Sequence, residues 1–217
     1  LINAKGESIM KYVFIDNLSN LSMNGWELTG AVNFYESDVS IANCVFSNNY
    51  SEDALNIIRS KYEINNTSFS NIKSDAFDSD FSNGQIVNSS FINCGNDGID
   101  ISGGSARIID ILIDYAGDKG ISVGEKSNLR GKDIKISNSE IGITSKDLSE
   151  VVLNNVILEN LNVGITAFQK KPEYGPAIKK INNLVKNKKF INSLVANVSS
   201  TLFFIKQKKF NSIILNY

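Results

Sequence analysis

Asp75-Ala76-Phe77-Asp78 recurs 22 residues later as Asp97-Gly98-Ile99-Asp100, and Asp80 lies just beyond the first copy. Asp53 stands another 22 residues before Asp75, and Lys119 stands 22 residues after Asp97. Carboxylates gathered in this way have three readings. They can form a solvated acidic face, screened by water and salt. They can supply oxygen ligands to a hard cation such as calcium, with Asp75, Asp78, Asp80, Asp97 and Asp100 as the donors. They can also hold shared protons at raised pKa, which suits acid–base work on a glycosidic bond. For that chemistry the candidates are Asp75, Asp78, Asp97 and Asp100, with Arg59 and Lys119 as the nearby cations.

The 22-residue spacing belongs to the whole chain. Ala54, Ala76, Gly98, Gly120, Gly142 and Gly164 form one column, and Leu55, Phe77, Ile99, Ile121, Ile143 and Ile165 form the next. Phe46, Phe69, Phe91, Ile113, Ile136 and Leu158 form a third, with steps of 22 or 23 residues. Asn or Asp falls three residues before each member of that column, and Asn two residues after in all but one copy, where Tyr115 stands instead. Apolar alternation has period two and helical periodicity is absent. Helical repeats have a different length and pattern, and the leucine-rich signature is missing. The fold predicted is an all-β, right-handed, single-stranded parallel β-helix. This solenoid has about seven recognisable rungs and a C-terminal cap. Asn tolerates left-handed backbone, and its amides can bond along a stack, so the Asn columns are read as structural ladders.

Rungs stack about 4.8 Å apart, so the aspartates should fall on two adjacent rungs of one face, with Asp53 one rung away. The outward column of that strand is Asn56, Asp78, Asp100, Ser122, Thr144 and Thr166. Two carboxylates at that spacing repel by about 3.5 kcal/mol at an effective dielectric near 20. Such a face needs relief from a cation, from protons or from solvent.

The ends are less regular. Ile9–Asp16 reads as a rung, but Phe14 to Phe46 spans 32 residues, so about ten residues near 18–28, Trp26 among them, should leave the coil. Phe168–Pro176 holds both prolines and reads as a surface loop. The division expected is therefore a β-helix over 1–169, followed at 170–217 by a loop and basic degenerate rungs or a cap. That last part carries apolar pairs such as Phe203-Phe204. Capping is needed because an open end exposes unpaired strand edges.

Composition narrows the function. Residues 1–169 carry 12 basic and 22 acidic residues, whereas 170–217 carry 10 lysines and only Glu173. An acidic body repels phosphates, so no nucleic-acid partner is expected. The basic tail reads as a solvated flank. With no histidine in the chain, serine– or cysteine–histidine catalysis is removed. Cys44 and Cys94 fall in different columns and read as small buried residues. No apolar run is long enough to span a bilayer. The chain opens on Leu1 without an initiator methionine or signal peptide, as a mature form or a piece of a longer protein would.

Across roughly residues 1–169 the sequence resembles the pectate-lyase-like superfamily of right-handed β-helix proteins. Asn96-Asp97-Gly98-Ile99-Asp100-Ile101 is similar to its generic repeat. The resemblance implies a polysaccharide partner and an extracellular or cell-surface location. In the lyases of this group, aspartate-held calcium acidifies a uronate and an Arg or Lys is the base, a part for Arg59 or Lys119 here. The hydrolases use clustered aspartates with a His and an Arg–x–Lys element. This chain has Arg59-Ser60-Lys61 but neither His nor an Asp-Asp pair. Asp75–Asp80 and Lys170–Pro176 also resemble the β-helix part of bacterial surface proteins with CotH-like domains. In that setting the chain would be one module of a larger protein, binding carbohydrate or calcium, acting as a polysaccharide lyase, or serving as a spacer.

Overall fold

The computed structural model describes residues 1–20, 22–23, 25–187, 192–197, 201–207 and 214–216. Among these residues every regular element is a strand, and no helix is long and apolar enough to cross a membrane. The strands form two long parallel sheets. One has nine strands, running in space from Ile214–Asn216 through Val163–Phe168, Lys119–Gly124 and Asp75–Asp80 to Gly30–Tyr35. The other has twelve, and its longer members, such as Asn83–Cys94 and Ser105–Ala116, bend in the middle to serve two faces of the coil. Each rung thus visits three faces, and its neighbours supply all lateral pairing.

The turns explain the Asn columns. Asn43, Asn66, Asn88, Asp110, Asp133 and Asn155 have φ between 47° and 58°, and Asn48, Asn71, Asn93, Asn138 and Asn160 between 52° and 57°. That is left-handed backbone, which Asn and Asp tolerate better than most residues. Their amides stack as expected: Asn66 Nδ2 donates to Asn43 Oδ1 at 2.6 Å and Asn93 Nδ2 to Asn71 Oδ1 at 2.8 Å. Spacing alone did not reveal a third left-handed column, Glu36, Arg59, Phe81, Gly103, Glu125 and Asp147, at the end of each nine-stranded-sheet strand. Its residue types share nothing, so only the register exposes it.

Inside, like stacks on like. The Phe46 and Phe69 rings lie 4.7 Å apart, and those of Phe69 and Phe91 4.9 Å apart, nearly parallel. Fully burying each such side chain contributes about 1.5–3 kcal/mol. The small residue before each Ile is required by the opposite wall. A Cβ on Gly120 would lie 2.7 Å from Ile136 Cγ2, and one on Gly98 3.2 Å from Ile113 Cγ2. Cys44 and Cys94 are buried and free.

Two expectations change. Phe14 pairs with Val45, not Phe46; Ile15 takes the inward place opposite Phe46. Phe14 is 66% exposed and Ile15 8%. Three consecutive apolar residues, Val13-Phe14-Ile15, leave the alternation ambiguous, and a one-residue slip exchanges the faces. The segment near 18–28 leaves the coil as a small antiparallel hairpin, Ser22–Met23 with Trp26–Glu27. The side chains of Trp26 and Phe203-Phe204 lie outside the described residues. The strands Ile178–Asn187 and Asn192–Asn197 extend the two sheets, and a step of 28 residues from Asn155 to Asn183 accommodates the proline loop. Asp147 Oδ1 fixes that loop by accepting the Lys170 and Lys171 N–H groups at 2.6 and 2.7 Å.

The second change concerns Lys179, which belongs to the basic tail but is fully buried rather than solvated. It stacks on the inward Val151, and its Nζ donates to the carbonyls of Ile143 at 2.9 Å and Thr166 at 2.7 Å. Burial holds its pKa well below 10.5. A depressed lysine pKa penalises the folded state increasingly as pH falls from the unfolded value. Lys179→Met is therefore expected to stabilise the fold, by more at pH 6 than at pH 10, as measured by thermal melts. In the ladder, Asn66→Ala should cost about 1–2 kcal/mol in chemical denaturation, since it forces alanine into left-handed backbone. The adjacent exposed Asn65→Ala should change stability by less than about 0.5 kcal/mol.

Candidate functional site

The nine-stranded sheet brings the predicted aspartates together. In register, Asp75 lies opposite Asp53, Asp78 between Asn56 and Asp100, and Asp80 between Ile58 and Ser102. Alternation about the buried Phe77 and Ile99 turns Asp78 and Asp100 away from the core. The outward column is nonetheless not simply solvated: Asn56, Ser122, Thr144 and Thr166 are buried. Polar neighbours and long side chains close over it. Asn56 Nδ2 donates to Thr29 Oγ1 at 2.9 Å, and Thr166 Oγ1 donates to Thr144 Oγ1 at 2.8 Å.

The aspartates are of two kinds. At the strand starts they tie rung to rung: Asp75 Oδ1 accepts the Asp97 N–H at 2.8 Å and the Asn96 amide at 2.6 Å. Asp97 Oδ1 accepts the Lys119 N–H at 2.9 Å, and Asp53 Oδ2 accepts the Asn56 amide at 3.1 Å. These carboxylates satisfy backbone and stacked neighbours. Among the described residues Asp78 and Asp100 make no such hydrogen bond, while Asp80 lies within reach of the Asn56 amide. Among the same residues Asn56 Oδ1 and Asp100 Oδ1, on either side of Asp78 in register, are buried acceptors without a hydrogen-bond donor.

Electrostatics follow from this crowding. Burial raises Asp53 and Asp75 to about 6. It raises Asp97 to about 7, outweighing Lys119, whose Nζ is 3.4 Å away. Asp78 is pushed well above 3.8, first by burial and then by the charges of Asp80, Asp100, Asp53 and Asp75. Asp80 rises for the same leading reason. Burial alone would lower Lys119, yet the charges of Asp97 and Asp118 hold it above its ordinary value. Lys119 therefore stays protonated, which suits it to neutralising the cluster better than to accepting a proton.

A second cation, Lys146, was not evident from sequence. Its side chain lies along the sheet across Gly124 and ends 4.0 Å from Asp100 Oδ2. A Cβ on Gly124 would come within 3.0 Å of Lys146 Cε, so the glycine leaves that path open. The column Ser102, Gly124, Lys146, two residues beyond the outward one, was the available signal. Arg59 sits at the third corner and flanks the cluster without entering it. Its Nη1 donates to Tyr35 Oη at 3.0 Å, and its guanidinium lies 6.0 Å from the Tyr35 ring and 5.7 Å from the Phe81 ring. Tyr35 and the half-exposed Phe81 thus add an aromatic wall that sequence reading missed. Lys61 begins a strand of the other sheet, so Arg59 and Lys61 serve different faces.

Among the described residues no three acidic or cysteine side chains converge closely enough to hold a metal ion. Asp75 and Asp97 are turned into backbone contacts, Asp100 faces Lys146 and Asp80 the Asn56 amide, so a cation on this face would have to displace these partners. What the face does as it stands is raise the Asp78 carboxyl well above its ordinary 3.8, by burial first and then by the neighbouring carboxylates.

A raised carboxyl pKa favours the fold while the group is protonated, and that advantage is lost as pH rises from 3.8 through the raised folded value. Asp78→Asn keeps the neutral form at every pH. Its stability gain over the wild type is expected to grow from little at pH 4 to about 1–3 kcal/mol at pH 8 in denaturant titrations.

Comparison with known proteins places this geometry. The family model described as a right-handed β-helix region matches residues 29–190. No curated protein matches the chain. Among solved structures, the full-length tailspike protein 2 from an Escherichia coli O157:H7 bacteriophage is 16% identical, with a TM-score of 0.50. The match covers 88% of this chain and 29% of that one. The enzymatically active domain of bacteriophage CBA120 tailspike protein 2 is also 16% identical, with a TM-score of 0.54 over 93% of this chain and 31% of that one. The chain therefore spans about a third of these structures, and the likeness is one of fold. With the stacked rungs, the turn columns and the match over 29–190 together, the chain belongs to the right-handed β-helix family.

Proposed function

We propose that this protein is a carbohydrate-binding β-helix module of a larger extracellular or surface protein, and that glycan lies on the aspartate face. The observation that carries this reading is one juxtaposition. The row Asn56–Asp78–Asp100, with its unpartnered acceptors, stands beside the Tyr35–Arg59–Phe81 stack. A sugar presents hydroxyl donors on its edges and apolar C–H groups on its faces. Acceptors next to an aromatic wall complement both, as polar groups in an otherwise apolar lining do in small-molecule sites. Lys119 and Lys146 keep the local field from becoming prohibitively negative. The β-helix fold shared with phage tailspikes is consistent with this reading.

A second reading rests on Asp78. A carboxyl raised well above its ordinary value, one rung from Asp100, has the direction of shift that a general acid needs for cleaving a glycosidic bond. The lyase variant has less support, because Arg59 is permanently charged and Lys119 is held protonated by its two carboxylates.

The test is binding of the full chain to a panel of polysaccharides, with products followed by reducing-end release and by ultraviolet absorbance of unsaturated sugars. At least one polymer should bind. Asp78→Asn combined with Asp100→Asn should weaken it at least tenfold, and Phe81→Ala should weaken it several-fold, both without loss of folding. Unchanged binding in both variants would remove the aspartate face from the account. Calorimetry with calcium belongs in the same series. Heat and a higher melting temperature, both lost in the double variant, would assign the face to a cation instead.

A further inference from the structure

The bend between the two halves of the twelve-stranded sheet forms an open groove of about 940 Å³, lined by the turn column that runs from Asn43 to Asn183. It belongs to the other sheet and shares no residue with the aspartate face. Its turn residues beyond Asn43 are exposed, so the ladder is the visible floor of the groove. Each stacked amide uses one N–H and one lone pair along the ladder and keeps one of each for whatever lies above it.

The ladder is broken in the middle. Below the break, Asn88 Nδ2 donates to Asn66 Oδ1 at 3.3 Å; above it, Asn155 Nδ2 donates to Asp133 Oδ1 at 2.9 Å. Between them stands Asp110, which has no N–H to give. Among the described residues neither Asn88 Oδ1 nor the Asp110 carboxylate receives a hydrogen bond. The cation on the groove wall, Lys135, is engaged by Glu159 at 3.1 Å, and Lys132 lies 3.9 Å from Asp133. Asn88 and Asp110 therefore present acceptors without a donor on successive rungs, and Asp133, which already takes the Asn155 amide, adds a carboxylate on the next, in a groove whose adjacent wall carries Ser90 and the 41%-exposed Leu112. Donors in adjacent pairs, with an apolar surface beside them, are what this segment lacks.

The period selects the occupant. Equivalent groups repeat about every 4.8 Å, whereas an extended peptide advances about 3.3 Å per residue and drifts out of step within a few rungs. A chain of pyranose units linked across the ring advances by about one rung per unit. Asp110 and Asp133 oppose a uronate or nucleic-acid backbone. We propose that this groove is a second binding track, for a neutral extended glycan lying parallel to the axis of the coil, with Asn88, Asp110 and Asp133 gripping its adjacent hydroxyls. The proposal is independent of the aspartate face.

Asp110→Asn separates structure from binding. Residue 110 has φ 55°, which Asn accepts, and the amide would mend the ladder. The full chain is tested by calorimetry against neutral cello- and manno-oligosaccharides of about six units and against an oligouronate of the same length, each matched to the rung spacing. A neutral oligosaccharide should bind the wild type. Asp110→Asn should keep or raise the melting temperature while weakening binding at least tenfold, and Ser90→Trp, which fills the wall, should do the same to binding. In the Asp78→Asn, Asp100→Asn background, which removes the aspartate-face site, the groove's share of the binding should persist and should then be lost on adding Asp110→Asn. The proposal is overturned if no neutral oligosaccharide binds, if the oligouronate binds more tightly, or if binding survives Asp110→Asn and falls only with the aspartate-face variant.

Discussion

Backbone pairing between successive rungs governs this molecule. Each interior strand of the coil pairs its N–H and C=O groups with the rung above and the rung below, which fixes the repeat near 4.8 Å and sets each residue on its counterpart. A side chain survives in a column only if it tolerates its own kind at that distance. Phenylalanines at 46, 69 and 91 gain from it, and Asn amides gain a hydrogen bond. Carboxylates do not. Asp75 and Asp97 escape by turning onto the backbone of the next rung, whereas Asp78 and Asp100 lie in register with no such outlet.

That contrast explains how much could be read from the sequence. Wherever a column keeps one chemical type, the 22-residue spacing reveals it, and the register of Asp78 with Asp100 and Asn56 follows directly. Columns of mixed type stay hidden. The third left-handed corner runs Glu36, Arg59, Phe81, Gly103, and nothing in those residues announces a shared backbone conformation. Long side chains that travel between rungs are hidden too. Lys146 reaches Asp100 only because Gly124 leaves the path clear, and Lys179 faces inward only because it stacks on Val151. At Val13-Phe14-Ile15 the pattern itself is ambiguous, and the larger residue drew the wrong assignment.

Both candidate surfaces arise from departures from stacking, not from stacking itself. On the aspartate face, Asn56 Oδ1, Asp100 Oδ1 and Ser122 Oγ have no hydrogen-bond partner among the described residues. In the groove, Asp110 interrupts an amide ladder that is otherwise bonded on both sides of it. A scaffold that repeats a stable solution at every rung makes its exceptions conspicuous. These exceptions are polar, outward and short of hydrogen-bond donors, which is the complement of a polyhydroxylated chain.

The central claim is that burial, with the neighbouring carboxylates adding to it, raises the Asp78 carboxyl well above its ordinary 3.8. Carboxyl ¹³C NMR, with Asp78 assigned by comparison with Asp78→Asn, measures this directly across a pH titration. The account predicts a midpoint well above the ordinary 3.8, coupled to Asp80 and Asp100 so that Asp100→Asn shifts it downward. A midpoint near 3.8, unmoved by Asp100→Asn, would contradict it.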